Sequence, residues 1–349
     1  MPEAGAIASV RTSDAARAAV RFVAVSAVAL LVFALVLLAA GKDPLSAYAQ
    51  TFRHTLASSY GFSELLVRVT PLLLTAVAVA LPSRLGLINV GGEGQLYMGA
   101  FAASATAFFL PGAPAWLLLP LVVLSGFLGG AIWAAIPGAL RAAKLVNETV
   151  STLLLNYVAP LIVGYFIFGA WRTTENSAYP ESSTYPPGAL LPTLFGTRIH
   201  AGLLIALAAL AVYWFVMERT RWGIAMRAVG GNPEAAQRLG IAVPVWIVAA
   251  LAIGGGFAGL AGMGEAMGIA GRLRQTLSPG YGFTGFLIAW LAAGRPVGIL
   301  FMSFLFAIIT AAGDTLQISQ GLPYAVVNIL LATILFVVLA SRGNLGIRR

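Results

Sequence analysis

ERTRWGIAMRAVGGNPEAAQRLGIAVP, residues 218–244, is the stretch from which the organisation of this chain is read. It is a polar, arginine-rich, helix-forming insert between two apolar runs, 200–217 and 244–268, each long enough to span a bilayer. Arg219, Arg221, Arg227 and Arg238 gather positive charge on one side of that barrier. Asn232-Pro233-Glu234 has the chemistry of a helix start: a side chain that caps free N–H groups, a proline at the first helical position and a carboxylate near the positive helix end. A short helix over 233–239, ended by Gly240, follows from this. An apolar chain with such an insert is built to grip something at the membrane surface.

Of the 349 residues 59% are hydrophobic and 9% charged, against roughly 25% charged in an ordinary soluble domain. The class is an all-α polytopic membrane protein. The absence of cysteine excludes disulfides, zinc–thiolate sites and thiol nucleophiles. The net charge of +9 reports orientation in the membrane rather than a nucleic-acid partner, because basic residues in apolar chains collect in the loops of one side.

Apolar runs of bilayer length fall near 22–40, 65–83, 95–111, 115–138, 149–171, 200–217, 244–268, 280–294, 297–316 and 323–341, about ten in all. With the N-terminus cytoplasmic, 14 of the 21 basic residues fall inside and seven (Lys42, Arg53, Arg68, Arg172, Arg198, Arg272, Arg274) outside. That asymmetry supports both termini being cytoplasmic. The expected organisation is a cytoplasmic segment at 1–21, a transmembrane domain at 22–341 and a cytoplasmic tail at 342–349. Within it lie an external loop at 172–199 and a cytoplasmic loop at 218–243. The first run exceeds the core of a cleaved signal peptide and more spans follow it, so it reads as a retained helix; a signal peptide ending near Ala40 is the alternative.

The segment from Trp171 to His200 carries Asn176, Ser177, Tyr179, Pro180, Ser182, Ser183, Thr184, Tyr185, Pro186 and Pro187, which is turn and loop chemistry. It is either the surface a soluble partner touches or a connector between two halves of about five spans each.

Two glycine-dense segments hold the polar residues at membrane depth. In the first, Arg84 to Gln95, the glycines at 86, 91, 92 and 94 disfavour a straight helix at about 1 kcal/mol each and point to a broken or re-entrant element. Non-helical backbone in a membrane needs protein or a water-filled cavity around it, so Asn89, Glu93 and Gln95 are candidates to line a pathway. Alternatively Glu93 only caps the next helix. The second, Gly254 to Gly268, has small residues at spacings of four that let helices approach closely. Glu265 within it faces either the bundle or an interface. Beyond it, Gly280-Tyr-Gly-Phe-Thr-Gly285 offers Tyr281 and Phe283 as stacking faces for a flat ligand or as interfacial belt residues. Asp314, with Gln317 nearby, is a further intramembrane polar site.

Lys42 and Lys144 are the only lysines and neither sits in a phosphate-binding loop, so the chain is no ATPase of that type. His54 and His200 are the only histidines, which leaves no HExxH zinc site, and no G-x-S-x-G elbow occurs. An ion-coupled secondary transporter could use Glu93, Glu265 and Asp314 as ion sites but would not need the 218–244 insert. An intramembrane enzyme lacks a catalytic set.

Gly230-Gly-Asn-Pro-Glu-Ala-Ala236 followed by Gly240 resembles the cytoplasmic EAA-type loop of ATP-binding-cassette importer permeases, in the version of the branched-chain amino acid and simple-sugar permease superfamily. Gly86-Leu-Ile-Asn-Val-Gly-Gly-Glu-Gly-Gln95 and Gly280-Tyr-Gly-Phe-Thr-Gly285 are most similar to the nucleoside-uptake permeases. The resemblance runs from about residue 65 to the C-terminus. It implies a multi-pass subunit of a bacterial-type inner membrane, paired with a second permease chain, like or unlike itself, and with two ATP-binding subunits. Those subunits would bind ATP and Mg, this chain holding no cofactor. A periplasmic or lipoprotein binding protein would deliver a nucleoside or, alternatively, a simple sugar of the ribose type. Arg227, Gly230, Asn232, Glu234, Ala235, Ala236 and Gly240 would form the coupling helix that docks on an ATPase. Glu265 stands where a more apolar residue is expected for the family, and this leaves the solute open.

Overall fold

The computed structural model describes residues 27, 31–173, 180–321, 325, 329, 332 and 333. The expected tails at 1–21 and 342–349, most of the run 323–341, the start of the run 22–40, and Asn176, Ser177 and Tyr179 lie outside the described residues. The described residues form two compact units, one made of Phe62–Ala307 and one of those up to Gly61 together with those from Ile308.

In the second of these, α1 (Leu31–Ala39) and α2 (Pro44–Thr55) meet at a bend of 114°. The bend is placed by Asp43, whose carboxylate accepts from the N–H groups of Leu45 at 3.2 Å and Ser46 at 2.9 Å and so starts α2, with Pro44 in the first helical position. The remaining helices are α3 (Ser59–Ser83), α4 (Gly92–Phe109), α5 (Ala115–Ala142), α6 (Glu148–Phe168), α7 (Gly202–Arg219), α8 (Arg221–Gly231), α9 (Pro233–Arg238), α10 (Val243–Gly264), α11 (Tyr281–Leu291) and α12 (Pro296–Gln320). The last turn of α10 widens into a π-helical segment, Glu265–Ala270.

Among the described residues six helices are long and apolar enough to cross a membrane: α3, α5, α6, α7, α10 with its π continuation, and α12. The bent pair α1 and α2 would make a seventh. Two of the ten expected runs take a different form. The run at 95–111 is α4, which begins earlier, at Gly92, and carries Glu93 and Gln95 in its first turns. The run at 280–294 is α11, eleven residues and about 16 Å long, roughly half a hydrocarbon core.

The core of the Phe62–Ala307 unit is a three-helix contact of α4, α5 and α10 made backbone to backbone. A Cβ added at Gly99 would lie 2.1 Å from the Cα of Gly259, one at Gly130 would lie 2.2 Å from the carbonyl oxygen of Gly255, and one at Gly262 would lie 1.9 Å from that of Leu96. The glycine spacing on α10 therefore serves close packing, the small-residue contact that holds helices together where lipid leaves no hydrophobic driving force.

On the side reached by the C-terminal ends of α4 and α6, residues 180–201 are bound to their surroundings. Ser182 donates from its backbone to Leu273 and receives the Leu273 N–H on its Oγ, at 3.0 and 2.8 Å. The N–H of Tyr185 reaches Gly271 O at 3.0 Å, and its buried hydroxyl lies 2.6 Å from Ser104 Oγ of α4. Burial pushes the Tyr185 phenol above its ordinary range. The rings of Phe101, Phe108, Phe166 and Trp171 pack at centroid distances of 4.9–5.3 Å beside it.

Candidate functional site

The chain leaves α3 at Ser83, turns through Gly86 at φ +76° and returns between helices as an extended segment before α4 begins. Extended backbone at this place needs partners, and α6 supplies them. Glu148, Thr152 and Asn156 recur every fourth residue, so they lie on one face of the helix. Glu148 Oε1 accepts from Ile88 N at 3.3 Å and Thr152 Oγ1 accepts from Val90 N at 3.3 Å. Asn156 accepts from Gly94 N and donates to Val90 O, both at 2.8 Å. Arg141 closes the row from the end of α5 with a 3.0 Å ion pair to Glu148. Asn156 stands eight residues into α6 and Thr75 eight residues from the end of α3, so the segment reaches about 12 Å past the helix ends.

At that depth the N-terminus of α4 meets the N-terminus of α11. Gly92 and Gly282 are in backbone contact: a Cβ at Gly282 would lie 2.0 Å from Glu93 N. Two positive helix ends converge here, and Glu93 answers them, its Oε2 accepting from Gly282 N at 2.7 Å. Thr75 Oγ1 donates to Tyr281 O at 3.1 Å, and Ser278 Oγ accepts from Tyr281 N at 3.0 Å. Asn89 and Gln95 form a reciprocal amide pair, Asn89 Nδ2 to Gln95 Oε1 at 3.1 Å and Gln95 Nε2 to Asn89 Oδ1 at 2.9 Å. Asn89 Oδ1 also accepts from Gly91 N at 3.0 Å.

Asn89, Glu93, Gln95, Tyr281 and Phe283 are thus brought into one region of the protein. In this conformation the first four are buried; Asn89 and Glu93 hold backbone N–H groups and Gln95 holds Asn89, whereas Phe283 is exposed. Glu265 stands apart from them in the π-helical turn, buried, with Arg68 and Arg198 acting on it electrostatically. His200 packs against the same turn, its ring 2.6 Å from where a Cβ on Gly268 would stand. His200 Nδ1 accepts from Gly202 N at 3.1 Å, and burial pulls the imidazole down to about 4.

The 218–244 insert forms α8 and α9. Asn232, extended at φ −154°, caps α9 by accepting from Ala235 N at 3.0 Å; Gly240 follows at φ +85°, where Ile241 N returns to Ala236 O. Gly230 rests on the end of α3, where a Cβ would lie 2.3 Å from Arg84 O. Arg84 in turn bonds Tyr213 Oη at 2.9 Å and Gly294 O at 2.7 Å. Arg227 donates to Met217 O at 2.6 Å. Glu234, Ala235, Gln237, Arg238 and Leu239 are exposed, while Ala236 turns into the protein. Leu239, 80% exposed, adds an apolar tip that composition alone did not single out.

These features, six bilayer-length apolar helices with a polar break between them and a capped surface helix, define a multi-pass membrane permease component. Residues 61–340 match the family described as "Branched-chain amino acid transport system / permease component", and the chain belongs to it. It is 37% identical to a glucose ABC transporter permease protein of Haloferax volcanii over 324 residues, 90% of this chain and 85% of that protein. It is 32% identical to a guanosine ABC transporter permease protein of Bacillus subtilis over 313 residues, 88% of this chain and 89% of that one. A nucleoside ABC transporter permease protein of Lactococcus lactis is 29% identical over 315 residues, 88% of this chain and 86% of its own length. No solved structure matches the chain.

Proposed function

We propose that this chain is the permease subunit of an ATP-binding-cassette importer that carries a nucleoside or a related solute across the inner membrane by alternating access. The observation that carries the solute is the likeness over most of the chain to permeases of guanosine and nucleoside transporters. A sugar is the second reading, favoured by the 37% identity to the glucose permease. Two ATP-binding subunits would bind ATP and Mg and hydrolyse it; this chain would hold no cofactor and do no chemistry. A second permease chain and a periplasmic or lipoprotein binding protein complete the assembly.

Ten membrane-embedded segments would then lie between residues 22 and 341, α4 and α11 entering as partial spans that meet at Gly92 and Gly282. Both termini and the 218–243 loop would be cytoplasmic and the 172–199 loop external. Residues Arg227, Gly230, Asn232, Glu234, Ala235, Ala236 and Gly240 would form the coupling element, with Ala235 and Leu239 against the ATPase and Ala236 seating α9 on its own bundle. Only contacts that differ between two states can shift their balance, so a push on α9 would reach the pathway through Gly230, Arg84 and the end of α11. Asn89, Glu93, Gln95, Glu265, Tyr281 and Phe283 would line or gate the pathway, their present bonds belonging to a closed state.

Competition tests the solute. In the reconstituted assembly, excess adenosine, guanosine or uridine should block uptake of a labelled nucleoside and excess glucose or ribose should not. The reverse result removes the nucleoside and leaves the sugar.

A further inference from the structure

We infer that the cleft between α7, α8 and α10 binds an anionic phospholipid, one acyl chain lying in the cleft and the headgroup against Arg219 and Arg221. The cleft has a volume of about 180 Å³ and is walled by Val216, Met217, Trp222, Met226, Trp246 and Ile253. The one hydroxyl in its lining, on Tyr213, is turned away to Gly294 O at 2.7 Å. Water in such a cleft would find none of the two to four polar partners it needs. Hydrocarbon is the ligand chemistry that remains.

The mouth selects the headgroup. Trp222 and Trp246 stand there edge to face at 5.1 Å, and Trp222 is half exposed. The Arg219 guanidinium lies 5.7 Å from the ring centre of Trp214. Arg219, Arg221 and Arg227 are all exposed in this stretch, against the single nearby acid Glu218. Tryptophan rings with arginines at one end of an apolar bundle match the boundary where lipid headgroups begin, and basic side chains there favour negative headgroups.

The test uses the full-length permease in detergent, stripped of native lipid and titrated with phospholipids brominated on the acyl chain, which quench tryptophan on contact. Brominated phosphatidylglycerol should quench saturably and at lower concentration than brominated phosphatidylcholine, and the Trp222→Phe, Trp246→Phe double variant should lose the quenched fraction. Arg219→Gln and Arg221→Gln should each raise the half-saturating phosphatidylglycerol concentration about fivefold, leaving phosphatidylcholine unchanged. Should these variants fail to fold, the two lipids still decide the matter on the native protein. Equal half-saturation for both lipids, or a saturable, phosphatidylglycerol-selective component of the quenching that survives the loss of both tryptophans, overturns the assignment. So does efficient disulfide cross-linking of Val212→Cys between two copies in native membranes, which would show the cleft covered by a second chain.

Discussion

The Glu93 carboxylate accepts a 2.7 Å hydrogen bond from the backbone N–H of Gly282, 189 residues further along the chain. One side chain thereby neutralises the start of its own helix and caps another that arrives from the far end of the fold. Glu93→Ala leaves the Gly282 N–H buried without its acceptor and should cost about 1–3 kcal/mol. Glu93→Gln keeps an acceptor oxygen and should cost less. Thermal unfolding in detergent, followed alongside uptake, checks the order; an alanine variant as stable as the native protein would refute it.

α9 and the residue that caps its C-terminus present Glu234, Ala235 and Leu239 outward. Ala235→Trp should leave the permease inserted and folded, since the site is open, while solute-stimulated ATP hydrolysis falls about tenfold or more through the loss of some 1.4 kcal/mol or more of docking. Ala236→Trp should instead destabilise the permease itself, because that position is buried. Comparing expression with hydrolysis separates the two effects.

The topology is open to labelling because the chain has no cysteine. Ser182 lies in the segment 172–199 proposed to be external but is fully buried, so it is a poor probe, whereas Thr184 beside it is exposed. Thr184→Cys should react with an impermeant maleimide in intact cells and Gln237→Cys only after the cells are opened. Reaction of Gln237→Cys alone would invert the orientation.

His200 is held neutral. Its folded pKa of about 4 lies below the ordinary 6.5, so between these values the unfolded chain binds a proton more readily than the folded one. Stability is therefore full above 6.5 and declines as the pH falls towards 4, by at most about 3 kcal/mol from this group. Measured from pH 7.5 down to 4.5, the melting temperature of the native protein relative to that of His200→Gln should fall along this curve.

What could be read from residues alone divides along the distance over which a contact acts. The cap at Asn232, the proline after it and the stop at Gly240 lie within nine residues, and the helix they bound is there. The break is likewise signalled by its glycines, although it covers only 84–91 and Gly92 and Gly94 lie inside α4. The partner of Glu93 was not, because nothing local distinguishes a carboxylate facing a pathway from one capping a helix elsewhere in the chain. The inward turn of Ala236 and the burial of Ser182 depend on which neighbours arrive, and two adjacent alanines look alike until they do. The row Glu148, Thr152, Asn156 is the instructive omission. Its spacing of four on an apolar helix places the three on one face, but that they serve the backbone of the segment before α4 depends on a partner distant in sequence.

The glycine contacts of α4, α5 and α10 also have a mechanical side. Where carbonyl oxygens and α-carbons of neighbouring helices already touch, as at Gly99, Gly130 and Gly262, sliding by one residue would drive atoms through each other. The contact therefore resists sliding of the three helices against one another. Glycines with wide backbone freedom lie beyond it: Gly271 and Gly280, at φ +68° and +99°, bracket the stretch that joins α10 to α11.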